Sequence, residues 1–153
     1  MSKYRLLTEE ELNEFHEEFV KYLVVNGITA DQWEEMKKND PDMAGKILNL
    51  FSDVVLEGVL RQIQFMDFRS KSYIQSVQCL DEKLIMVALS SDNPELDLQK
   101  ELNLADHAES LSIHKSERPY AGSREEDLFE MTTKGFQSSD GTIFKALMMA
   151  SVE

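Results

Sequence analysis

PDMAGKILNLFSDVVLEGVLRQIQFMDFRSKSYIQSVQCLDEKLIMVAL, residues 41–89, decides the fold, because its apolar period changes part-way along. Asp40 caps and Pro41 occupies a first helical position, where a missing N–H costs nothing. Met43, Ile47, Leu50, Phe51, Val54 and Val55 continue through Val59, Leu60, Ile63 and Met66 at helical spacing. Leu48 and Leu56 widen the stripe until little polar face remains, which predicts a central buried helix over about 41–67. Gly58 costs such a helix about 1 kcal/mol relative to Ala, so close approach of another backbone is expected there. From Ser72 the period drops to two, with Tyr73, Val77 and Cys79 on one face and Ser76 and Gln78 on the other. Asp81-Glu82-Lys83 makes a polar turn, and Leu84 to Leu89 follows as a run buried on both faces. Residues of about 72–89 are therefore a hairpin.

Outward from this centre the signals are mostly caps. Thr8 with Glu11 has capping-box form, Leu12, Phe15, Phe19, Tyr22 and Leu23 follow at helical spacing, and Asn26-Gly27 ends that first helix. Thr29 with Gln32 opens a short second helix that turns Trp33 and Met36 inward. After the hairpin, Asn93-Pro94 opens a helical stretch through Leu96, Leu98, Leu102 and Leu104, and residues of about 111–117 read as a third strand. Ser123 to Glu126 is a third capping box, and Asp140 caps a last helix with Ile143, Phe144, Leu147 and Met148 facing the core. The expectation is an α+β fold, a predominantly helical single domain over 1–153. It holds a small antiparallel sheet and two C-terminal helices.

Composition removes several function classes. The chain has 153 residues and a formal net charge of −13, unevenly placed: −5 over residues 1–40 and −6 over 81–110. Nucleic-acid affinity comes from Lys and Arg neutralising phosphates, so direct nucleic-acid binding is not expected. No stretch reaches the ~18 apolar residues of a membrane span, and the start MSKYRLLTEEE lacks a signal-peptide core. One cysteine makes no internal disulfide, which fits a cytoplasmic protein. His16-Glu17 begins like a zinc-protease helix motif, but Val20 stands where the second histidine belongs. No metal and no cofactor is expected. No phosphate loop, dinucleotide fingerprint or nucleophile elbow is present, so no catalytic residue is assigned. Cys79 reads as strand packing; a reactive thiol there requires His114 beside it on a neighbouring strand.

One segment runs against the global charge. Residues 111–124 sum to +2, with Lys115, Arg118 and Arg124 against Glu117 and with His114 and Tyr120 interleaved. Arg69 and Lys71, just before the hairpin, join it if the third strand pairs nearby. These seven residues are the candidate site for an anion, an acidic peptide or a partner, beside the plainer reading of a solvated strand-to-helix connection. Two functions follow. The leading one is a non-catalytic cytoplasmic adaptor that docks on a larger, basic protein partner through an acidic helical face or this loop. The alternative is a small enzyme or anionic-ligand binder that uses Arg118, Arg124 and Tyr120. Met148, Met149 and Val152 leave the last helix apolar on more than one side, so oligomeric state stays open.

Several stretches carry a family resemblance: Tyr4-Arg5-Leu6-Leu7-Thr8, Asn26 to Trp33, Phe51-Ser52-Asp53, Pro119-Tyr120, Ser123 to Glu126, Leu128-Phe129-Glu130 and Ser139-Asp140-Gly141. On these the chain resembles a small, uncharacterised family of acidic bacterial cytoplasmic proteins, a domain of unknown function. The resemblance runs from Tyr4 to about Leu147 and implies no activity and no catalytic residues.

Overall fold

The computed structural model of the protein describes residues 3–100 and 104–151. The chain divides into two compact units, residues 1–59 and 60–153, and its architecture is α+β.

The first unit is helical. Thr8 and Thr29 each close the reciprocal capping box that their spacing predicts, and these open α1 (Glu9–Glu14) and α3 (Ala30–Asn39). The expected first helix is two. Phe15, half-buried against the core, leaves helical conformation (φ −98, ψ 23) and separates α1 from α2 (His16–Val25). Gly27 adopts φ +76 after α2, and the amides of Gly27 and Ile28 return to the carbonyls of Val24 and Leu23 at 3.0 and 2.8 Å. The core gathers Phe19, Leu23 and Trp33 against Phe51 and Leu56 of α4 (Pro41–Gln62), with Leu7 included. Phe19 meets Trp33 edge-on at 5.2 Å and Phe51 at 4.9 Å, the spacing aromatic pairs favour. The N-terminal segment straps onto the same helix. Ser52 Oγ accepts the Leu7 amide at 3.1 Å, and Asp53 accepts the amides of Lys3 and Tyr4.

Helix α4 departs from its expected form in two ways. It buries one stripe, Ala44, Phe51, Ser52, Leu56 and Leu60, while Met43, Leu50, Val54 and Val59 are exposed. Among the described residues a Cβ on Gly58 would meet nothing within 4 Å, so none of their backbone approaches it. The helix also ends at Gln62 rather than about 67. Residues of the expected last turn form β1 (Phe65–Arg69), in which Met66 is fully buried.

The second unit is built on a five-stranded antiparallel sheet of order β4-β3-β2-β1-β5. The hairpin is present as β2 (Tyr73–Cys79) and β3 (Lys83–Ser91), and the third strand as β4 (Leu111–Pro119). β1 and β5 (Gln137–Ser139) extend the sheet on the β2 side. On one face Ile74, Val87 and Leu89 pack with Phe144 and Leu147 of α6 (Thr142–Ala150) and with Leu96 and Leu98. The other face carries Met66, Val77 and Leu84, none of them exposed. α5 (Arg124–Thr133) buries Leu128 and Met131, and Gly135 (φ +101) closes it with the same pair of returning amides as Gly27.

The helix expected from Asn93 is absent across 93–100, and Leu102 lies outside the described residues. Asn93 Oδ1 accepts the Glu95 amide and Asp97 Oδ1 the Gln99 amide, each at 3.0 Å. Two such side-chain turns in succession compete with helical bonding. A 3₁₀ segment, Leu104–Ser110, kinked at His107 (φ −120, ψ 18), then leads into β4. No helix among the described residues is long and apolar enough to cross a membrane.

Candidate functional site

β4 delivers the cationic segment to the sheet edge, and the sheet register fixes where each side chain goes. His114 and Arg118 alternate onto one face, while Lys115 lies on the other. Arg69, paired with Ile74, shares the Lys115 face three strands away. Arg69 Nε donates to the Leu98 carbonyl at 3.1 Å, and the Lys71 carbonyl accepts the Leu98 amide at 2.7 Å. Both residues thus hold the 93–100 turn against the sheet, with the Lys71 side chain exposed.

Three of the seven converge. Arg124, 13% exposed at its side chain, donates to four backbone carbonyls: Leu60 at 3.0 Å, Leu80 and Cys79 at 3.2 Å, and Ile63. Tyr120 donates its hydroxyl to the same Leu80 carbonyl at 2.6 Å, and burial pushes its phenol up to about 12. Arg118 stands 3.8 Å from the carboxylate of Asp127. Asp127 is buried and accepts the amides of Ala121 and Gly122 at 2.7 and 3.1 Å, while Ser123 Oγ accepts that of Glu126. The loop amides that would meet an external anion are bonded to an internal carboxylate and an internal hydroxyl. Glu126 here bonds the Ser123 hydroxyl at 3.0 Å.

A cleft of about 420 Å³ lies beside this cluster, lined by Arg61, Gln64, Gln78, Cys79, Asp81 and Arg124 among others. Cys79 is buried, and desolvation pushes its thiol up to about 11 despite the nearby Arg124 charge. Cys79 opposes Leu84, which opposes Arg118; His114 opposes Ala88, four residues further along the strand. That offset is roughly 13 Å at the rise of a strand, too far for the imidazole to activate the thiol.

The helical unit holds a different kind of concavity, an open groove of about 550 Å³. Phe19, Val20, Leu23 and Val24 of α2 form one wall, Ile28 and Trp33 with α3 the other, with Leu12 and Leu48 contributing. Val20 and Val24 are 44% and 67% exposed. Glu9, Asn13, His16, Glu34 and Lys37 are the polar groups at the groove, and Lys37 is paired with Glu34 at 3.0 Å. Around it Glu10, Glu14, Glu17, Glu18, Asp31 and Glu35 are all exposed. An apolar floor within an acidic helical surface can take an apolar segment that carries positive charge. The spacing of α2 carries part of this signal: Val20 and Val24 widen the stripe of Phe19 and Leu23 beyond what one core contact needs.

The chain belongs to a family of unknown function: the model of the Family of unknown function (DUF6495) matches residues 1–151. Neither a curated protein nor a solved structure matches it.

Proposed function

We propose that this family member is a non-catalytic, cytoplasmic interaction domain whose helical unit docks on a basic segment of a larger protein. The observation that carries the proposal is the α2–α3 groove, whose exposed valines offer anchor positions inside a surface that is net −5 over residues 1–40. Buried apolar anchors supply the affinity of such a contact, and surrounding charge speeds encounter and selects the partner's sign. The bonding of Arg124, Tyr120 and Asp127 supports a framework role for the 118–127 connection, with the adaptor reading ahead of an anion-binding enzyme. A lone thiol, buried and held at high pKa, fits a reducing compartment.

Recovery of the tagged protein from its native host tests the proposal. A stoichiometric basic partner retained at low salt, lost at high salt and lost from Val24→Lys is the expected result. Val24→Lys removes an exposed anchor and adds repulsion without touching the core. A partner that Val24→Lys retains in full, or that high salt strengthens, would overturn it.

A further inference from the structure

The register of the sheet determines which backbone groups of its long edge are open. Leu80 N–H donates to the Lys83 carbonyl and Ser91 N–H to that of Ser72, so odd-numbered residues of β3 face β2. Even-numbered residues of β3 therefore face β4, as the bond from Asp92 N–H to the Ser110 carbonyl continues. In β4 the residues opposite them are Ser112, His114, Ser116 and Arg118. The odd-numbered residues of β4 consequently turn outward: Leu111, Ile113, Lys115 and Glu117 offer N–H and C=O, and Pro119 only its carbonyl. β4 is nine residues long and ends the sheet, and no described residue takes these outward groups. Every residue from His114 to Pro119 is exposed.

Sheet edges are normally blunted by charge and proline. Here the blunting is selective, since Lys115 and Glu117 share a face, have opposite sign and flank Ser116. Within the chain Glu117 meets only Lys83 at 3.3 Å among the described ion pairs, an exposed contact that leaves its second carboxylate oxygen for another cation. We propose that β4 pairs antiparallel with β4 of a second copy of this chain, about a two-fold axis through Ser116, joining two five-stranded sheets into one of ten strands. In that register Lys115 opposes the partner's Glu117, and Glu117 opposes the partner's Lys115. Both are hydrogen-bonded pairs, each exchanging two backbone bonds. Ile113 N–H reaches the partner's Pro119 carbonyl, so the missing proline N–H falls at the end of the ladder, where it costs least. An axis through Lys115 would set Lys against Lys, and one through Glu117 Glu against Glu. An axis through His114 would leave both charges facing apolar residues. A one-residue slip would put core-face residues against the opposite face. Only the Ser116 axis matches Lys115 and Glu117 by sign, and on the opposite face it sets Arg118 against the partner's His114, a selection by sign rather than by apolar area.

Sedimentation equilibrium over a wide concentration range, on wild type and three variants, tests this dimer. Wild type is expected to dimerise, and Lys115→Glu and Glu117→Lys each to weaken the dimer by about tenfold or more, since two favourable pairs become two repulsive ones. The double exchange Lys115→Glu with Glu117→Lys restores opposite signs and is expected to recover dimerisation. The amides of Ile113, Lys115 and Glu117 should exchange slowly with solvent in the wild-type dimer and fast in either single variant. Circular dichroism confirms that all four chains fold. A wild type monomeric throughout, single variants that dimerise like wild type, or a double exchange that stays monomeric would each overturn the proposal. The interaction through the helical groove is independent of all three outcomes.

Discussion

Arg124 directs one guanidinium at four backbone carbonyls, contributed by the last turn of α4 (Leu60), by Ile63 just after it, and by the end of β2 with its turn (Cys79, Leu80). Helix ends leave carbonyls without intrahelical partners, and a planar five-donor fork satisfies several at once. Lysine keeps the charge but not the fork. Arg124→Lys is therefore expected to lower stability by about 2–3 kcal/mol in urea denaturation, because hydrogen bonds to a charged group are worth ~1.5–3 kcal/mol each. Glu11 shows a residue whose role is legible locally. Its bond from Arg5 and the Thr8 amide hold its carboxyl down at about 2, against an ordinary 4.5. A depressed acid contributes stability above its unfolded value and loses it as pH falls through the folded one. Glu11→Gln should thus cost about 0.5–1 kcal/mol at pH 7, an exposed pair and a cap together, with the deficit shrinking between pH 4.5 and about 2. The box at Thr8 can be read from four consecutive residues. The carbonyls that Arg124 meets lie 44 to 64 residues away, and no local pattern announces them.

At the scale of elements, local chemistry again separates what the sequence makes visible from what it does not. Caps and stops at Thr8, Thr29, Asn26-Gly27 and Ser123 act within one turn, and each stands where its residues put it. β1 is hidden because Ile63 and Met66 also fit a helical stripe. The strand exists through pairing with β2 on one side and β5 on the other. The segment after Asn93 misleads in the opposite direction, since Leu96 and Leu98 fit a helix while Asn93 and Asp97 bond their own backbone into turns. Gly58 suggests a close backbone neighbour, and none of the described residues stands there. With open space around it inside a helix, Gly58→Ala should stabilise the protein by about 0.5–1 kcal/mol, read as a raised urea midpoint at unchanged slope. A loss of stability in that variant would mean that a backbone contact does form at Gly58.

For the whole molecule, the question is what a net charge of −13 serves when Arg124 and Tyr120 of the 114–124 segment bond within the chain. Of the seven residues singled out around the cationic segment, Arg69, Tyr120 and Arg124 bond backbone carbonyls and Arg118, itself exposed, stands beside Asp127; His114, Lys115 and Lys71 are exposed. Charge counting finds cations but not their partners, so it locates the segment without revealing its bonds. The groove is less visible still, because Phe19, Leu23 and Trp33 serve both as its wall and as core. Salt should weaken an association steered by this acidic surface and leave its apolar contacts in place.

Trp33 is the chain's one tryptophan and lines the groove, so its emission reports occupancy directly. Purified protein titrated with a helical amphipathic peptide of leucine and lysine, and in parallel with one of leucine and glutamate, tests the docking most directly. A saturable change in Trp33 emission is expected with the lysine peptide alone, reduced by salt and lost in Val24→Lys. An unchanged signal with the lysine peptide, or an equal response to the glutamate peptide, would contradict docking of a basic segment in this groove.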